Sequence, residues 1–245
     1  MSLANIKQFS KEIGDVFQIN PPTPGDPCET TQSFGVNPEM YARIGLPYHN
    51  GIDFRAKMKT KVFAPCNCKV TRVENGDAND TTKGRYIYLE SAPIMLKDGR
   101  IITLEFLYYH LWESLVKVGD EVKAKQLIGL ADNTGTFGTG TFSTASHLHF
   151  GVYAKQNGQR LNNNYDWCYG ALDPEPIINW KDTIMKLYKE ADNPAVYQKG
   201  ADGKFHPIVY ERFAKEMYGD WDDIQVDTIA IPDSQKGFPI GFYLN

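Results

Sequence analysis

Ser146-His147-Leu148-His149-Phe150-Gly151-Val152 alternates polar and apolar residues. A period of two is strand geometry: it puts His147 and His149 on one face and Leu148, Phe150 and Val152 on the other. The apolar face requires a core to cover it. On the opposite face Gly151, lacking a side chain, is expected to leave the histidine side open. Either both histidines bind a metal ion, or one binds and the other works beside it, and spacing leaves both arrangements open. The plain alternative is an exposed polar strand face, although an unneeded His-x-His is uncommon.

Outward from this stretch, short runs of the same kind recur from about residue 31 to residue 153. Examples are Arg85–Glu90 and Ile101–Leu111, separated by turns such as Lys97-Asp98-Gly99-Arg100. That spacing predicts an antiparallel β domain. Ahead of it, residues 1–30 combine a short helix over Ile6 to Phe17 with Pro21-Pro22-Thr23-Pro24-Gly25, which reads as an arm or linker. Beyond it, Trp180 to Ala191 has helical spacing. The tail from Pro194 reads as a small α+β module: two strands about Gly200-Ala201-Asp202-Gly203, a helix near Glu211–Tyr218 and a strand near Ile224–Ile231. The expected division is 1–30, 31–180 and 181–245.

The chain has 245 residues, 42% hydrophobic and 23% charged, enough apolar material for one large core with small appendages. Its net charge of −4 argues against nucleic acid or an anionic membrane as partner. No apolar run approaches the ~20 residues of a membrane span. Met1 to Asn20 lacks the apolar stretch of a secretory signal. Of the four cysteines, Cys66 and Cys68 stand two apart, and a turn entering a strand is the simpler reading than a Cys-x-Cys metal site.

Chemistry concentrates in the histidines. There are five, and four fall in three clusters of the β region. His147 and His149 form one. His49-Asn50-Gly51-Ile52-Asp53-Phe54 is the second: fully extended, His49 and Asp53 lie ~13 Å apart, but Asn50-Gly51 is a bend signal that can fold them together. Tyr108-Tyr109-His110-Leu111 is the third, ending a run in which Leu104, Phe106, Tyr108 and His110 share a face. His206, beside Pro207, reads as incidental. Scarce histidines clustered with an acid are a metal signal, because neutral imidazole and carboxylate suit zinc.

Taken together these motifs resemble the lysostaphin-type, or M23, zinc metallopeptidases that cleave peptidoglycan peptides. The resemblance runs collinearly over roughly residues 30–178. It takes in Ser33-Phe34-Gly35, His49-x-x-x-Asp53, Val62-Phe63-Ala64-Pro65, Tyr109-His110-Leu111, Val118-Gly119-Asp120-Glu121-Val122-Lys123, Ile128-Gly129, Thr134-Gly135, His147-Leu148-His149-Phe150, Asn157-Gly158 and Asp173-Pro174. It implies a mainly β, antiparallel sheet or sandwich core, one Zn²⁺ held by His49, Asp53 and His149, and His110 and His147 as catalytic histidines. The implied substrate is a bacterial peptidoglycan peptide. With no signal visible in Met1 to Asn20, delivery is expected on a virion, at lysis or by unconventional export, and the C-terminal module is a candidate contact with the virion or wall.

Three segments exceed the usual family length: Gly135 to His147, Ala92 to Gly99 and Asn162 to Gly170. The first carries Phe137 and Phe142, expected as a cleft wall in preference to a lid over bound peptide. Tyr41 or Tyr48 can add a hydroxyl donor, with packing in the aromatic core or the cleft wall as an equal reading. Two rival readings are a non-catalytic scaffold on the same fold and a biotinyl or lipoyl carrier. The carrier needs a displayed lysine, for which Lys57-Met58-Lys59 is a faint candidate, and it leaves the histidines unexplained.

Overall fold

The computed structural model describes residues 2–23, 29–76, 83–137, 141–142, 146–162, 164–180, 187–189, 196–199, 205–207, 226–228, 234 and 236. The chain forms two compact units, Met1–Pro24 with Cys28–Trp180, and Gly25–Pro27 with Lys181–Asn245.

In the first unit α1 (Leu3–Gly14) is followed by β1 (Thr30–Gln32), the short helix α2 (Pro38–Ala42), β2 (Ile52–Arg55), β3 (Lys61–Phe63), β4 (Cys68–Glu74) and β5 (Arg85–Ser91). Next come β6 (Ile94–Met95), β7 (Ile101–Ser114), β8 (Glu121–Val122), β9 (Leu127–Ala131) and the ribbon of β10 (Thr136–Phe137) and β11 (Thr141–Phe142). β12 (His147–Gln156), β13 (Gln159–Arg160) and β14 (Ala171–Leu172) complete it. The sheet runs β1-β2-β12-β7-β5-β4-β8, with β9 joined to both β3 and β7. Its pairings are antiparallel, as the period-two runs predict.

β7 is the spine, 14 residues long, and it sits between β12 and β5. Leu148, Phe150 and Val152 of β12 are fully buried with Leu104, Phe106 and Tyr108 of β7. Phe150 stacks on Phe106 with ring centroids 6.1 Å apart and meets Tyr108 edge-on at 5.1 Å, geometries aromatic pairs favour. Burying one face of β12 this way commits the other face, with His147 and His149, to a cleft.

The N-terminal segment differs from the arm read in the sequence. α1 presents Ile6, Phe9 and Ile13 at helical spacing and buries all three in the core of the first unit. Each fully buried isoleucine contributes about 2 kcal/mol, enough to dock a helix that proline punctuation alone marks as a linker. The buried Ser10 hydroxyl donates to the Ile6 carbonyl at 2.9 Å and accepts the Asp173 amide at 2.9 Å, tying the helix to the end of the unit. A Cβ at Gly14 would fall 2.1 Å from the Pro176 carbonyl oxygen, so this helix end approaches the chain where only glycine fits.

The second unit is a four-stranded sheet of β15 (Leu187–Lys189), β16 (Val196–Lys199), β17 (Phe205–Pro207) and β18 (Val226–Thr228), in the order β17-β16-β15-β18. β15 corrects the helical reading of Trp180 to Ala191. A short apolar run is ambiguous between the two periods, and here pairing with β16 on one side and β18 on the other decides for strand. The helix expected near Glu211–Tyr218 lies outside the described residues. Among those residues no helix is long and apolar enough to cross a membrane.

Candidate metal centre

Cross-strand register builds the site. His149 of β12 lies opposite Asp53 of β2 on one side and Tyr109 of β7 on the other, so Asp53 and His149 share a face as direct neighbours. Ile52 and Phe54 flank Asp53 and point into the core, which turns the carboxylate outward. His49 precedes β2 and is held by backbone bonds: its N–H donates to the Val36 carbonyl at 3.0 Å, and its carbonyl accepts the Gly35 N–H at 2.9 Å. The Asn50-Gly51 bend brings His49 to Asp53. Gly51 has a further duty, because a Cβ there would stand 2.5 Å from the Phe150 carbonyl oxygen and 2.8 Å from His149 Cε1.

Three atoms converge. His49 Nε2 lies 3.0 Å from His149 Nδ1 and 3.1 Å from Asp53 Oδ1, and those two are 2.9 Å apart. His49 Nδ1 lies 2.9 Å from the Ser33 carbonyl, an acceptor only, so Nδ1 carries the proton and Nε2 of the neutral ring is a lone pair. That lone pair then faces a carboxylate oxygen, two acceptors in contact at a buried place. Burial works to raise the Asp53 pKa, while positive charge on His49 and hydrogen bonds from the two imidazoles hold the carboxyl well below its ordinary range; with both rings neutral, that positive charge must come from a cation. Burial lowers the His149 pKa against the pull of Asp53. Converging lone pairs on an anion and two imidazoles are resolved by a cation. Tetrahedral zinc with bonds of ~2.0–2.1 Å spaces its ligand atoms at about 3.3 Å, close to the triangle observed. The His-Asp-His group fits one zinc ion.

His147 and His110 adjoin this triangle. His147 Nε2 is 3.8 Å from Asp53 Oδ2, and the His110 and His147 rings are 4.6 Å apart. His110 departs from the face predicted for it with Leu104, Phe106 and Tyr108. Between Tyr108 and Leu111 β7 carries one residue more than its partner β5, and His110 takes φ +64°. This is a β-bulge, which re-aims a side chain, and it brings Tyr109 and His110 both toward His149. The His110 amide donates to the Lys83 carbonyl and its carbonyl accepts the Asp132 amide.

His110 Nδ1 donates to the Thr134 carbonyl at 2.6 Å, which leaves Nε2 as the acceptor. Gly84, at φ +61°, makes room for that carbonyl: a Cβ there would meet Thr134 backbone atoms at 2.4–2.5 Å. Burial, with His147 and His149 adding, pushes the His110 pKa down to about 3.

The remaining sequence candidates divide. Tyr41 stacks on His49 at 5.0 Å and lines a cleft of about 1030 Å³ in front of the three histidines. Tyr48 is buried edge-on to Phe34, with its hydroxyl donating to the Asp166 carbonyl at 3.3 Å, and it is not among the residues lining that cleft. It is a core residue, the core alternative of its two packing readings, and its place among the cleft candidates is corrected. Phe137 and Phe142 are on the β10–β11 ribbon, paired Thr136 with Phe142 and Phe137 with Thr141; their side chains lie outside the described residues. Gly135, at the base of the ribbon, lines the cleft.

Gly151 does not leave an open slot, because Tyr153 and the Asn50 carbonyl stand 3.3 and 3.6 Å from where its Cβ would be. Cys66 and Cys68 have their sulfurs 3.3 Å apart as free thiols. Sequence reasoning missed Tyr109, whose ring stacks on His149 at 5.1 Å; its place beside His110 in the motif was the available signal.

Residues 47–163 match the family described as Peptidase family M23. An uncharacterized metalloprotease of Haemophilus influenzae is 36% identical over 116 residues, 46% of this chain and 20% of that protein. Glycyl-glycine endopeptidase ALE-1 of Staphylococcus capitis is 35% identical over 130 residues, 53% of this chain and 29% of that protein. The matched segment thus spans less than a third of the length of these curated relatives. A zinc-containing peptidase from Vibrio cholerae, solved as a crystal structure, is 26% identical, covers 57% of this chain and 37% of that one, and superposes with a TM-score of 0.42.

Proposed function

Residues 47–163 being a domain of peptidase family M23, we propose that this chain is a zinc-dependent endopeptidase that hydrolyses the peptide cross-links of bacterial peptidoglycan. The observation that carries the reading is the convergence of His49 Nε2, Asp53 Oδ1 and His149 Nδ1 within 3.1 Å of one another, with two further imidazoles beside it. The resemblance to a glycyl-glycine endopeptidase supports a peptide as substrate.

His49, Asp53 and His149 are the ligands in this reading. Bound there, zinc supplies a Lewis acid for the scissile carbonyl and lowers the pKa of a water toward ~7. His49 is fixed in its role by the Ser33 carbonyl at Nδ1, an outer contact of the kind that orients a ligand imidazole. His110, neutral and with Nδ1–H committed to Thr134, offers Nε2 as an acceptor that orients the attacking water or steadies a proton in transit. His147, partly exposed to the cleft, is placed to move a proton between that water and the leaving amine. Burial of the ligand side chains excludes bulk water and strengthens each of these contacts.

The test combines metal content with wall digestion. His149→Ala is expected to lose most bound zinc. His147→Ala is expected to keep zinc and lose on the order of 10²–10⁴-fold in rate on purified walls. Full zinc occupancy in the first variant overturns the ligand set, and zinc loss in the second makes His147 a ligand. A wild-type protein that binds zinc and releases no peptide from any wall chemotype favours the non-catalytic scaffold.

A further inference from the structure

The cleft runs against the charge of the chain. The protein carries a net −4, yet five cationic residues line the cleft, Arg43, Arg72, Lys83, Lys155 and Arg160, against the two carboxylates of Asp53 and Glu105. Asp53 belongs to the metal triangle. Glu105 accepts from Arg160 Nε at 2.8 Å and also faces Lys155, which in turn pairs with Glu90. Two of the cations are therefore compensated within the wall.

Arg72 and Lys83 are not. Neither contacts a carboxylate among the described residues. Both lie instead against the ring of Tyr88, Arg72 Cζ at 5.3 Å and Lys83 Nζ at 5.7 Å from its centroid, and Lys83 donates to the Tyr88 hydroxyl at 3.1 Å. Lys83 Nζ also stands 5.7 Å from the Tyr109 ring, which stacks on His149. One aromatic ring thus separates this ammonium from the metal triangle. Its position is held from the backbone too, because the Lys83 carbonyl receives the amide of the bulged His110. Aromatic faces stabilise the two cations without neutralising them, so their charge remains available to a ligand.

We propose that Lys83 and Arg72, together at Tyr88, form a carboxylate-binding subsite of the cleft. The preferred peptide then carries a free carboxylate within about three residues of the bond that is cut, given ~3.3 Å per extended residue. This deepens the endopeptidase reading and rests on it. A peptide without a carboxylate leaves two cations facing the cleft unpaired, whereas one with a carboxylate gains charge-assisted hydrogen bonds from both. Such bonds are the ones that discriminate between otherwise identical ligands.

The experiment uses the zinc-loaded full chain and dye-labelled cross-link peptides in matched pairs. One pair differs only in a terminal carboxylate against its carboxamide, the other in a side-chain carboxylate against its carboxamide. Affinity is read by fluorescence anisotropy and cleavage by mass spectrometry. Wild type is expected to favour the acid of at least one pair by on the order of 10-fold, and the responsive pair identifies the source of the carboxylate.

Lys83→Met is expected to bring that ratio near one while zinc content stays whole, and Arg72→Gln to reduce it in part. Equal affinities for acid and amide in both pairs, no binding by any peptide, or a preference that survives the double variant overturns the subsite. Equal cleavage with equal binding removes the subsite and leaves the endopeptidase. Lysine-dependent preference in binding without any cleavage does the reverse.

Discussion

At the scale of single residues, the His49–Asp53–His149 triangle depends on residues outside it. Ser33 lends only a carbonyl, yet it sets which nitrogen of His49 is free. Gly51 lends only the absence of a Cβ. Gly51→Ala would place a methyl 2.5 Å from the Phe150 carbonyl oxygen and 2.8–2.9 Å from two atoms of the His149 ring. The strand pair cannot retreat without breaking its ladder, so the ring must move. Zinc affinity is expected to fall about 10- to 100-fold, the range for losing the support of a ligand, with a stability loss of about 1–3 kcal/mol. Chelator competition and thermal unfolding check the two parts, and unchanged affinity would show that β2 and β12 can spread at no cost. His49, Asp53, His147 and His149 were legible as a cluster because histidines are few. His110 was singled out with them, but its turned-over orientation was not legible, since a bulge arises from an extra residue relative to a partner strand, and no run of β7 taken alone contains its partner.

At the scale of elements, β7 and β12 carry the domain, and both were visible as alternating runs. The docking of α1 and the strand state of β15 were not visible in the sequence. The helix was seen, but its docking needed the apolar surface that it meets; β15 is three residues long and took its state from two neighbours. The β10–β11 ribbon falls in Gly135 to His147, which by sequence reads as longer than the usual family loop. It follows Gly135, which lines the cleft, and precedes β12, so its length can be changed without altering a residue of the triangle. Replacing residues 136–145 by a short turn is expected to alter the relative cleavage rates of different cross-link peptides while zinc stoichiometry remains at the wild-type level. Identical relative rates across a peptide panel would remove the ribbon from recognition.

At the scale of the molecule, the two compact units meet in sequence between Trp180 and Lys181. Every residue of the triangle and cleft belongs to the first, which encloses its own core. A chain ending after Trp180 is therefore expected to fold and bind zinc as the full protein does. If the second unit contacts the wall or a virion, the shortened chain should bind whole walls more weakly in a sedimentation assay; equal binding would reduce that unit to a structural appendage. What the sequence alone determined is the set of local periods and the kinds of atoms on offer: alternation from the covalent geometry of extended chain, and imidazole and carboxylate from a handful of residues. Only the tertiary structure decided which of those atoms meet. His149 lies 96 residues from Asp53 and 100 from His49, and their 3 Å approach is set by strand register and by a glycine pressed against a ring. The charge of the cleft is of the same kind: the composition is acidic, and the burial and pairing of particular carboxylates leave the cations exposed. Interactions between residues so far apart in the chain have no local pattern to announce them.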